Sequence, residues 1–217
     1  MARGRPSDDL FDDLDPADEP LDDFAFDLYL PYSLRAISDV HWTPVDVCRR
    51  AVEMLREAGA RRVLDVGAGA GKFCVVGALT SPLEFTGVEH RATLVGVARG
   101  VARYLRVAER ARFIHGVVQD VALADFDALY LFNPFGESLL AGGDPIDTSV
   151  ELGPARHQRD VAYVEDALGR APVGTLVLTY HGFGGRLPED YELLRDEPAG
   201  TDALKLWRRA PRSRCTA

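Results

Sequence analysis

Apolar residues along this chain fall into short runs and spaced stripes that predict strands alternating with helices. Runs of four to eight residues rich in valine, leucine and phenylalanine are typical of buried strands, and an apolar residue at every third or fourth position is typical of a helix. Because strands that alternate with helices form parallel sheets covered on both faces, the pattern predicts an open α/β sheet. We predict strands at 62–66, 85–88, 112–116, 128–132 and 174–180, followed by shorter β runs at 191–194 and 203–207.

The helix that follows residue 43 has the clearest start among the predicted helices. Thr43 can cap its N-terminus, Pro44 suits the first helical position, and Gly59 can end it. The stretch 137–154 is rich in Gly, Pro and Asp, so we expect a long loop there, and we expect a turn at 197–200. Further helices are expected at 71–79, 92–108 and 155–168.

The acidity of the chain is concentrated at its N-terminus. The 217 residues carry a net charge of −9, and residues 1–27 hold ten acidic and two basic residues, which leaves −1 for the other 190. A segment of this kind repels itself and cannot bury enough apolar surface to fold alone. We therefore predict a disordered acidic tail at 1–27 and a single domain at 28–217. The tail would keep the protein soluble or dock a basic partner.

The sequence has no features of a membrane or secreted protein. No apolar run approaches the roughly 18 residues that a membrane-spanning helix needs, and the N-terminus lacks the apolar core of a signal peptide. Cys48, Cys74 and Cys215 show neither paired nor metal-type spacing, which favours a reducing compartment and predicts no metal site. We expect a cytoplasmic protein that does not contact a membrane.

A glycine-rich turn follows the first predicted strand and precedes a helix. Residues 63–72 read Val-Leu-Asp-Val-Gly-Ala-Gly-Ala-Gly-Lys. A phosphate-binding P-loop needs glycine and Ser or Thr at the positions that Val66 and Phe73 occupy. A dinucleotide-binding turn has its third glycine one residue later than Gly71. Glu89, at the end of the second strand, would bind a ribose in more than one class of protein, so it does not discriminate between them.

The run Asp-Val-Gly-Ala-Gly-Ala-Gly at 65–71 resembles the first motif of the class I S-adenosylmethionine-dependent methyltransferases. This resemblance implies an open, mostly parallel seven-stranded sheet with helices on both faces and an antiparallel last strand, and S-adenosyl-L-methionine as the cofactor. It implies that Asp65 lies near the cofactor's ammonium group, often through water, and that Glu89 accepts both ribose hydroxyls. Asp120 would contact the adenine amino group, although Val118 or Gln119 could line the adenine pocket instead. The cofactor-binding residues expected on this basis are Thr43, Asp65, Gly67, Ala68, Gly69, Gly71, Glu89, His90, Gln119, Asp120 and Asn133.

The segment after the fourth predicted strand is the expected acceptor side of the site. Asn133, Pro134 and Phe135 resemble the [DNS]-P-P-[YF] motif of methyltransferases that act on amino groups of nucleobases or of protein glutamine, with one proline missing. A weaker likeness exists to the Asn-Phe-Ala-Phe-Gly pattern of a nucleosomal lysine methyltransferase. An amide oxygen and a backbone carbonyl could hold an amine's hydrogens and direct its lone pair, and Phe135 could stack on a planar acceptor. His181, after the fifth strand, is a candidate base.

We therefore predict a methyltransferase whose acceptor is a nitrogen on a protein or small molecule, with nucleic acid as an alternative. Two other classes stay open. One is a protein of methyltransferase fold that binds a nucleotide-like ligand or a partner without catalysis. The other is a nicotinamide-dependent oxidoreductase, which tight NADH binding would favour.

Overall fold

The computed structural model describes residues 21–139 and 146–211. Three short 3₁₀ turns lie at Val118–Asp120, Leu123–Asp125 and Gly136–Leu139. Within the described ranges, the helices are α1 (Asp23–Asp27), α2 (Tyr32–Arg35), α3 (Ser38–His41), α4 (Val45–Glu57), α5 (Lys72–Thr80), α6 (Ala92–Tyr104) and α7 (Pro154–Arg170). The strands are β1 (Arg62–Val66), β2 (Glu84–Glu89), β3 (Ala111–His115), β4 (Ala128–Phe132), β5 (Leu176–Tyr180), β6 (Tyr191–Ala199) and β7 (Asp202–Arg209).

The strands form one sheet in the order β3-β2-β1-β4-β5-β7-β6. Strands β1 to β5 are parallel to one another, and β7 runs antiparallel to both β5 and β6. This confirms the predicted open, mostly parallel seven-stranded sheet with an antiparallel last strand. In this order β1 lies between β2 and β4: the strands after β1 are added first on one side of it and then on the other. This makes the C-terminal end of β1 a topological switch point, where open α/β sheets bind their ligands.

The two faces of the sheet are covered by different helices, because successive side chains of a strand point to opposite faces. In β4, Ala128 and Tyr130 pack with the apolar residues of α4, α5 and α6, while Leu129 and Leu131 pack with those of α7. All four side chains are buried. A strand buried on both faces reads as a continuous apolar run, which is why β4 was predicted with its observed bounds.

The last residues of the predicted acidic tail are folded, so the prediction of a disordered tail is wrong for residues 21–27. Residues 21–27 include α1, and Phe26 at its centre is fully buried in the core. The error arose because charge density was weighed over the whole segment, whereas one well-placed aromatic residue anchors this helix. Residues 1–20 of the predicted tail lie outside the described residues.

The acids of α1 have specific partners. Asp23 Oδ1 accepts the backbone N–H of Val45 at 3.0 Å and lies 2.5 Å from the Nζ of Lys72, which is only 2% exposed. Asp27 Oδ1 lies 3.5 Å from the same Nζ and accepts the hydroxyl of Ser38 at 2.7 Å. These carboxylates compensate a buried cation and satisfy the start of α4, so the N-terminal segment is joined to the glycine turn.

Two predicted boundaries are also corrected. The helix predicted at 92–108 ends at Tyr104, because Arg106 takes a left-handed conformation (φ 57°) and the N–H of Val107 closes the end on the carbonyl of Ala102. The predicted turn at 197–200 is largely strand. β6 continues to Ala199 because it is an edge strand, where the missing N–H of Pro198 is tolerated.

Candidate cofactor and acceptor site

A cavity of about 540 Å³ opens beyond the C-terminal ends of the parallel strands. This volume lies within the ordinary range for small-molecule sites. No helix in the described ranges is long and apolar enough to cross a membrane, and no group of three potential metal ligands was found there. Of the predicted site residues, those that line the cavity are Gly67, Gly69, Glu89, His90, Asn133, Pro134, Phe135 and His181.

The glycine turn between β1 and α5 forms one wall of this cavity. Gly69 has a positive φ of 53°, and a Cβ there would clash with Nε1 of Trp42, whose indole packs directly against the turn. Gly71 begins α5 in a left-handed conformation, and a Cβ there would meet Phe113 at 2.6 Å. The turn therefore needs glycine both for its backbone angles and for the close approach of neighbours. Trp42 also lines the cavity.

Glu89, the last residue of β2, presents its carboxylate to the cavity. Its Oε2 accepts the N–H of Gly69 at 3.0 Å, and its Oε1 accepts the N–H of Arg91 at 2.8 Å. The side chain is buried. A carboxylate has about four acceptor positions, so each oxygen retains a lone pair for a ligand hydroxyl. Two backbone bonds thus fix the orientation of an acceptor suited to a vicinal diol.

Asp65 is fully buried beside the turn and does not line the main cavity. Burial raises the pKa of Asp65 to about 7, with the charge of Glu89 adding to the rise, while a hydrogen bond from Cys74 Sγ at 3.4 Å opposes it. Its side chain lies on a second, small cavity of about 20 Å³, large enough for one water molecule. This position suits the water-mediated role expected from the resemblance.

Thr43, predicted as a helix cap and ligand contact, does not cap α4, and it lines the small cavity that Asp65 also lines, so its contact with a ligand stays a prediction. Pro44 is the N-cap residue of α4, and the carboxylate of Asp23 receives the N–H of Val45. Thr43 is buried, and its hydroxyl hydrogen-bonds the hydroxyl of Tyr130 at 2.8 Å. The buried tyrosine needs a polar partner and takes it from Thr43, a long-range pairing that sequence spacing does not reveal. Two further predicted contacts, Ala68 and Gly71, also lie outside the main cavity.

The segment after β3 contributes Val118 to the lining of the cavity. The two polar residues predicted there, Gln119 and Asp120, do not line it. Asp120 Oδ2 accepts the N–H of Val117 at 2.9 Å and so closes its own 3₁₀ turn. Gln119 Nε2 donates to Oδ1 of Asp160 at 2.8 Å. Because neither Asp120 nor Gln119 lines the main cavity, the contacts with adenine predicted for them stay predictions. Val118 lines the cavity, which agrees with the alternative given for it.

Arg91 joins the end of β2 to the segment after β4. Its side chain is 2% exposed and forms two hydrogen bonds with the carboxylate of Glu137, at 2.9 and 2.8 Å. Asp147 lies 3.2 Å from its Nε, and Nε2 of His90 lies 2.9 Å from its Nη1. Burial lowers the pKa of His90, and the same holds for His41 across the cavity. These imidazoles are therefore neutral at pH 7.

The Asn133 corner has an unusual backbone. Asn133 has a φ of 37°, its N–H donates to the carbonyl of Gly182 at 2.8 Å, and its side chain packs against Gly136. Pro134 lies against Gly67, where a Cβ would meet it at 3.1 Å. Phe135 is buried with the α7 cluster and reaches the cavity wall. The end of β4 thus carries an exposed amide directly beside the glycine turn.

His181 follows β5 and is held by the start of β7. Its Nδ1 lies 3.1 Å from Oδ2 of Asp202, and its Nε2 lies 3.1 Å from Oγ1 of Thr201. The imidazole packs edge-on against Tyr180, with ring centroids 4.4 Å apart, and near Phe132 at 5.6 Å. Its φ of 56° is a sparsely populated conformation of the kind that clusters at functional sites. Sequence reasoning missed Thr201 and Asp202, which lie between the turn predicted at 197–200 and the β run predicted at 203–207.

The sheet order and the position of the glycine turn define the fold of the class I methyltransferases. Solved structures with this fold confirm the assignment. A methyltransferase from Geobacter sulfurreducens is 15% identical over 85% of this chain and 89% of its own, with a TM-score of 0.57. An RNA methyltransferase from Salinibacter ruber, in complex with S-adenosyl-L-homocysteine (SAH), is 19% identical over 79% and 97%, with a TM-score of 0.54.

An O-methyltransferase from Bacillus cereus in complex with SAH is 13% identical, covers 89% of this chain and 94% of its own, and has a TM-score of 0.57. No protein-family model matches the sequence. No curated protein matches it at the significance applied. Identities this low show a shared fold, and the reaction has to be argued from the site.

Proposed function

We propose that this protein is an S-adenosylmethionine-dependent methyltransferase. The observation that carries the proposal is the carboxylate of Glu89, fixed by the N–H groups of Gly69 and Arg91 at the rim of a cavity beside the glycine turn. A ribose with two free hydroxyls fits such an acceptor. Two of the solved structures with this fold hold SAH.

The order of the strands supports one orientation of the cofactor. Val118, after β3, would contact the adenine, and Glu89, after β2, would bind the ribose. The methionine part would then lie along the glycine turn after β1, near Asp65 and Trp42. On the other side of β1 the next strands are β4 and β5, each about 4.8 Å from its neighbour. The methyl group, at the end of the cofactor farthest from the adenine, would therefore point towards the ends of β4 and β5. Asn133 and His181 line this part of the cavity.

The acceptor we propose is a nitrogen on a protein or small molecule. Asn133 presents a side-chain amide at the end of β4, next to Pro134 and the glycine turn. An amide oxygen that accepts an amine's hydrogen would direct the nitrogen lone pair towards the methyl group.

A cytoplasmic location of the protein stays a prediction.

Calorimetry with S-adenosylmethionine and SAH tests the cofactor proposal. We expect wild-type protein to bind both, and Glu89→Ala to lose about 1–3 kcal/mol of binding free energy, roughly a 5- to 150-fold weaker Kd, because the ribose hydroxyls lose their acceptor. Glu84→Gln, at the exposed opposite end of the same strand, is the matched control and should bind as wild type does.

An unchanged Kd in folded Glu89→Ala would refute the ribose role. If folded wild-type protein bound neither compound, the methyltransferase proposal itself would fail. Tight binding of NADH in the same assay would then favour the oxidoreductase alternative.

A further inference from the structure

The acceptor half of the cavity contains a chain of hydrogen bonds that ends on a carboxylate. Tyr180 Oη accepts the N–H of Thr201 at 3.2 Å and lies 3.3 Å from its Oγ1. Thr201 Oγ1 lies 3.1 Å from Nε2 of His181, and Nδ1 of His181 lies 3.1 Å from Oδ2 of Asp202. Tyr180, Thr201 and His181 line the cavity, and Asp202 stands behind the imidazole.

The donor and acceptor groups of these four residues fix the direction in which their hydrogen bonds run. An ionised carboxylate only accepts hydrogen bonds, so the Nδ1–H of His181 donates a hydrogen bond to Asp202. Nε2 of a neutral imidazole is then an acceptor, and the hydroxyl of Thr201 donates to it. Tyr180 in turn can donate its hydroxyl proton to Thr201. A proton that arrives at Thr201 can therefore move to His181 Nε2, where Asp202 stabilises the imidazolium.

The charges of the cavity favour a cationic acceptor. Its lining residues include the acids Asp39, Glu89, Glu137 and Asp160, against the bases Arg91 and Arg156. Each arginine is paired with one of these acids, Arg91 with Glu137 and Arg156 with Asp160 at 2.5 Å, so Asp39 and Glu89 give the lining its negative balance. Among the described lining residues, no arginine or lysine is left to meet an anionic acceptor. The half-buried ring of Phe132 beside His181 suits an ammonium group, since cations are attracted to aromatic faces.

We propose that the acceptor is a primary or secondary aliphatic amine that binds as its ammonium ion, and that Thr201, His181 and Asp202 form the relay that removes its proton. This inference rests on the proposed function. An ammonium has no lone pair, so it must lose a proton before it can attack a methyl group. Asn133 lies next to this relay, because its N–H bonds the carbonyl of Gly182.

The proton step balances without another reactant. An N–H bond of the ammonium breaks and its proton passes to Thr201 Oγ1, while Thr201 gives its hydroxyl proton to His181 Nε2. The freed lone pair forms the nitrogen–carbon bond to the methyl group, and the electron pair of the broken carbon–sulfur bond stays on sulfur. His181, whose side chain is 34% exposed, returns the extra proton to solvent. Thr201 and His181 are the catalytic residues of this step, and Asp202 is a positioning residue.

A pair of near-isosteric amines tests the relay. At pH 7.5, 2-phenylethylamine is an ammonium ion, whereas its β,β-difluoro analogue is largely neutral and needs no base. We expect wild-type protein to methylate both with tritiated S-adenosylmethionine. His181→Gln should lose about 100-fold or more with 2-phenylethylamine, in line with ordinary general-base contributions, and less than about fivefold with the fluorinated amine. His157→Gln, outside the cavity, is the control.

A second readout does not depend on turnover. In ¹⁵N NMR spectra of the SAH complex, His181 should show a protonated Nδ1 and an unprotonated Nε2, and Asp202→Asn should weaken that tautomer preference. Asp202→Asn should also lower kcat with 2-phenylethylamine while leaving its binding to the SAH complex within about twofold.

Three results would overturn the inference. The first is an equal loss for both amines in His181→Gln, which would mean a structural role. The second is a protonated Nε2 in wild-type protein. The third is a protein that binds S-adenosylmethionine but methylates neither amine, or methylates only the phenol tyrosol. Failure to bind S-adenosylmethionine would instead contradict the proposed function, so the two outcomes are distinguishable.

Discussion

Replacing Asp65 with asparagine should have opposite effects on the free protein and on its complex with the cofactor. Burial raises the pKa of Asp65 from an ordinary 3.8 to about 7. At about 1.4 kcal/mol per unit, this difference corresponds to roughly 4 kcal/mol of cost for ionising the carboxylate in the folded protein. A neutral amide of the same shape avoids that cost.

The sign of the pH dependence follows from proton binding. Between about pH 4 and pH 7 the folded protein keeps the proton on Asp65 while the unfolded chain loses it, so this residue makes stability fall as pH rises. The contribution is fully favourable below the unfolded pKa and is lost above about pH 7. Asp65→Asn should therefore match wild type below about pH 4, exceed it by about 1.5 kcal/mol near pH 5, and exceed it by up to about 4 kcal/mol near pH 8.

Cofactor binding should reverse this advantage. If the ammonium group of S-adenosylmethionine is held through Asp65, binding favours the ionised carboxylate and releases up to one proton near pH 6. The wild-type affinity should then rise as pH increases from 5.5 to 7, a range in which a free α-amino group stays protonated. Asp65→Asn should bind more weakly at pH 7 and show no such rise.

Urea denaturation at pH 5 and pH 8, with calorimetry in buffers of different ionisation enthalpy, measures both effects. Asp125→Asn, an exposed acid on the surface, is the matched control and should change neither the stability nor the proton release. The reasoning would be refuted if Asp65→Asn kept the wild-type difference in stability between the two pH values. Proton release that persisted in the variant would refute the cofactor linkage.

The remaining predictions concern the acceptor corner and the N-terminal helix. Asn133→Gly, which keeps the positive φ without strain, should lower amine methylation about 5- to 150-fold with an unchanged Kd for S-adenosylmethionine; an unchanged rate would exclude the amide as a guide for the nitrogen. Asp23→Ala should lower the free energy of unfolding by about 2 kcal/mol in urea denaturation. This is less than the loss of a fully buried pair, because Asp27 and Ser38 stay beside Lys72. Asp46→Ala, in the exposed first turn of the same α4, is the control, and an equal loss in both would contradict the role of the ion pair.

The fold was predictable because its signals are local. The apolar run of β4 and the glycines of the first turn each determine the local backbone conformation. The strand bounds predicted at 62–66 and 128–132 therefore agree with the structure. The cavity-lining positions of Glu89, Asn133 and His181 were predictable for the same reason. Glu89 is the last residue of its strand, Asn133 and His181 directly follow theirs, and parallel strands end on one edge of the sheet.

What the sequence could not show were the partners of each polar side chain. Thr43 looked like a helix cap, but the cap comes from Asp23, more than twenty residues upstream. Asp120 satisfies its own turn, and Asp202 reaches His181 only because β7 runs antiparallel beside β5. A hydrogen-bond partner that depends on the pairing of distant strands leaves no spacing pattern in the sequence.

The proposed cofactor would help the proposed acceptor to lose its proton, because the sulfonium of the cofactor and the ammonium of the acceptor are both positively charged. An aliphatic amine has a pKa near 10.4 and an imidazole near 6.5, so a histidine alone is a weak base for an ammonium ion. A sulfonium about 4 Å from the ammonium would disfavour its proton by roughly 1 to 4 kcal/mol, the larger figure applying where water is excluded. That repulsion lowers the amine pKa by about one to three units and removes much of the gap. The bound cofactor would therefore activate the amine for the relay of Thr201 and His181, and an amine would lose its proton only after the cofactor had bound.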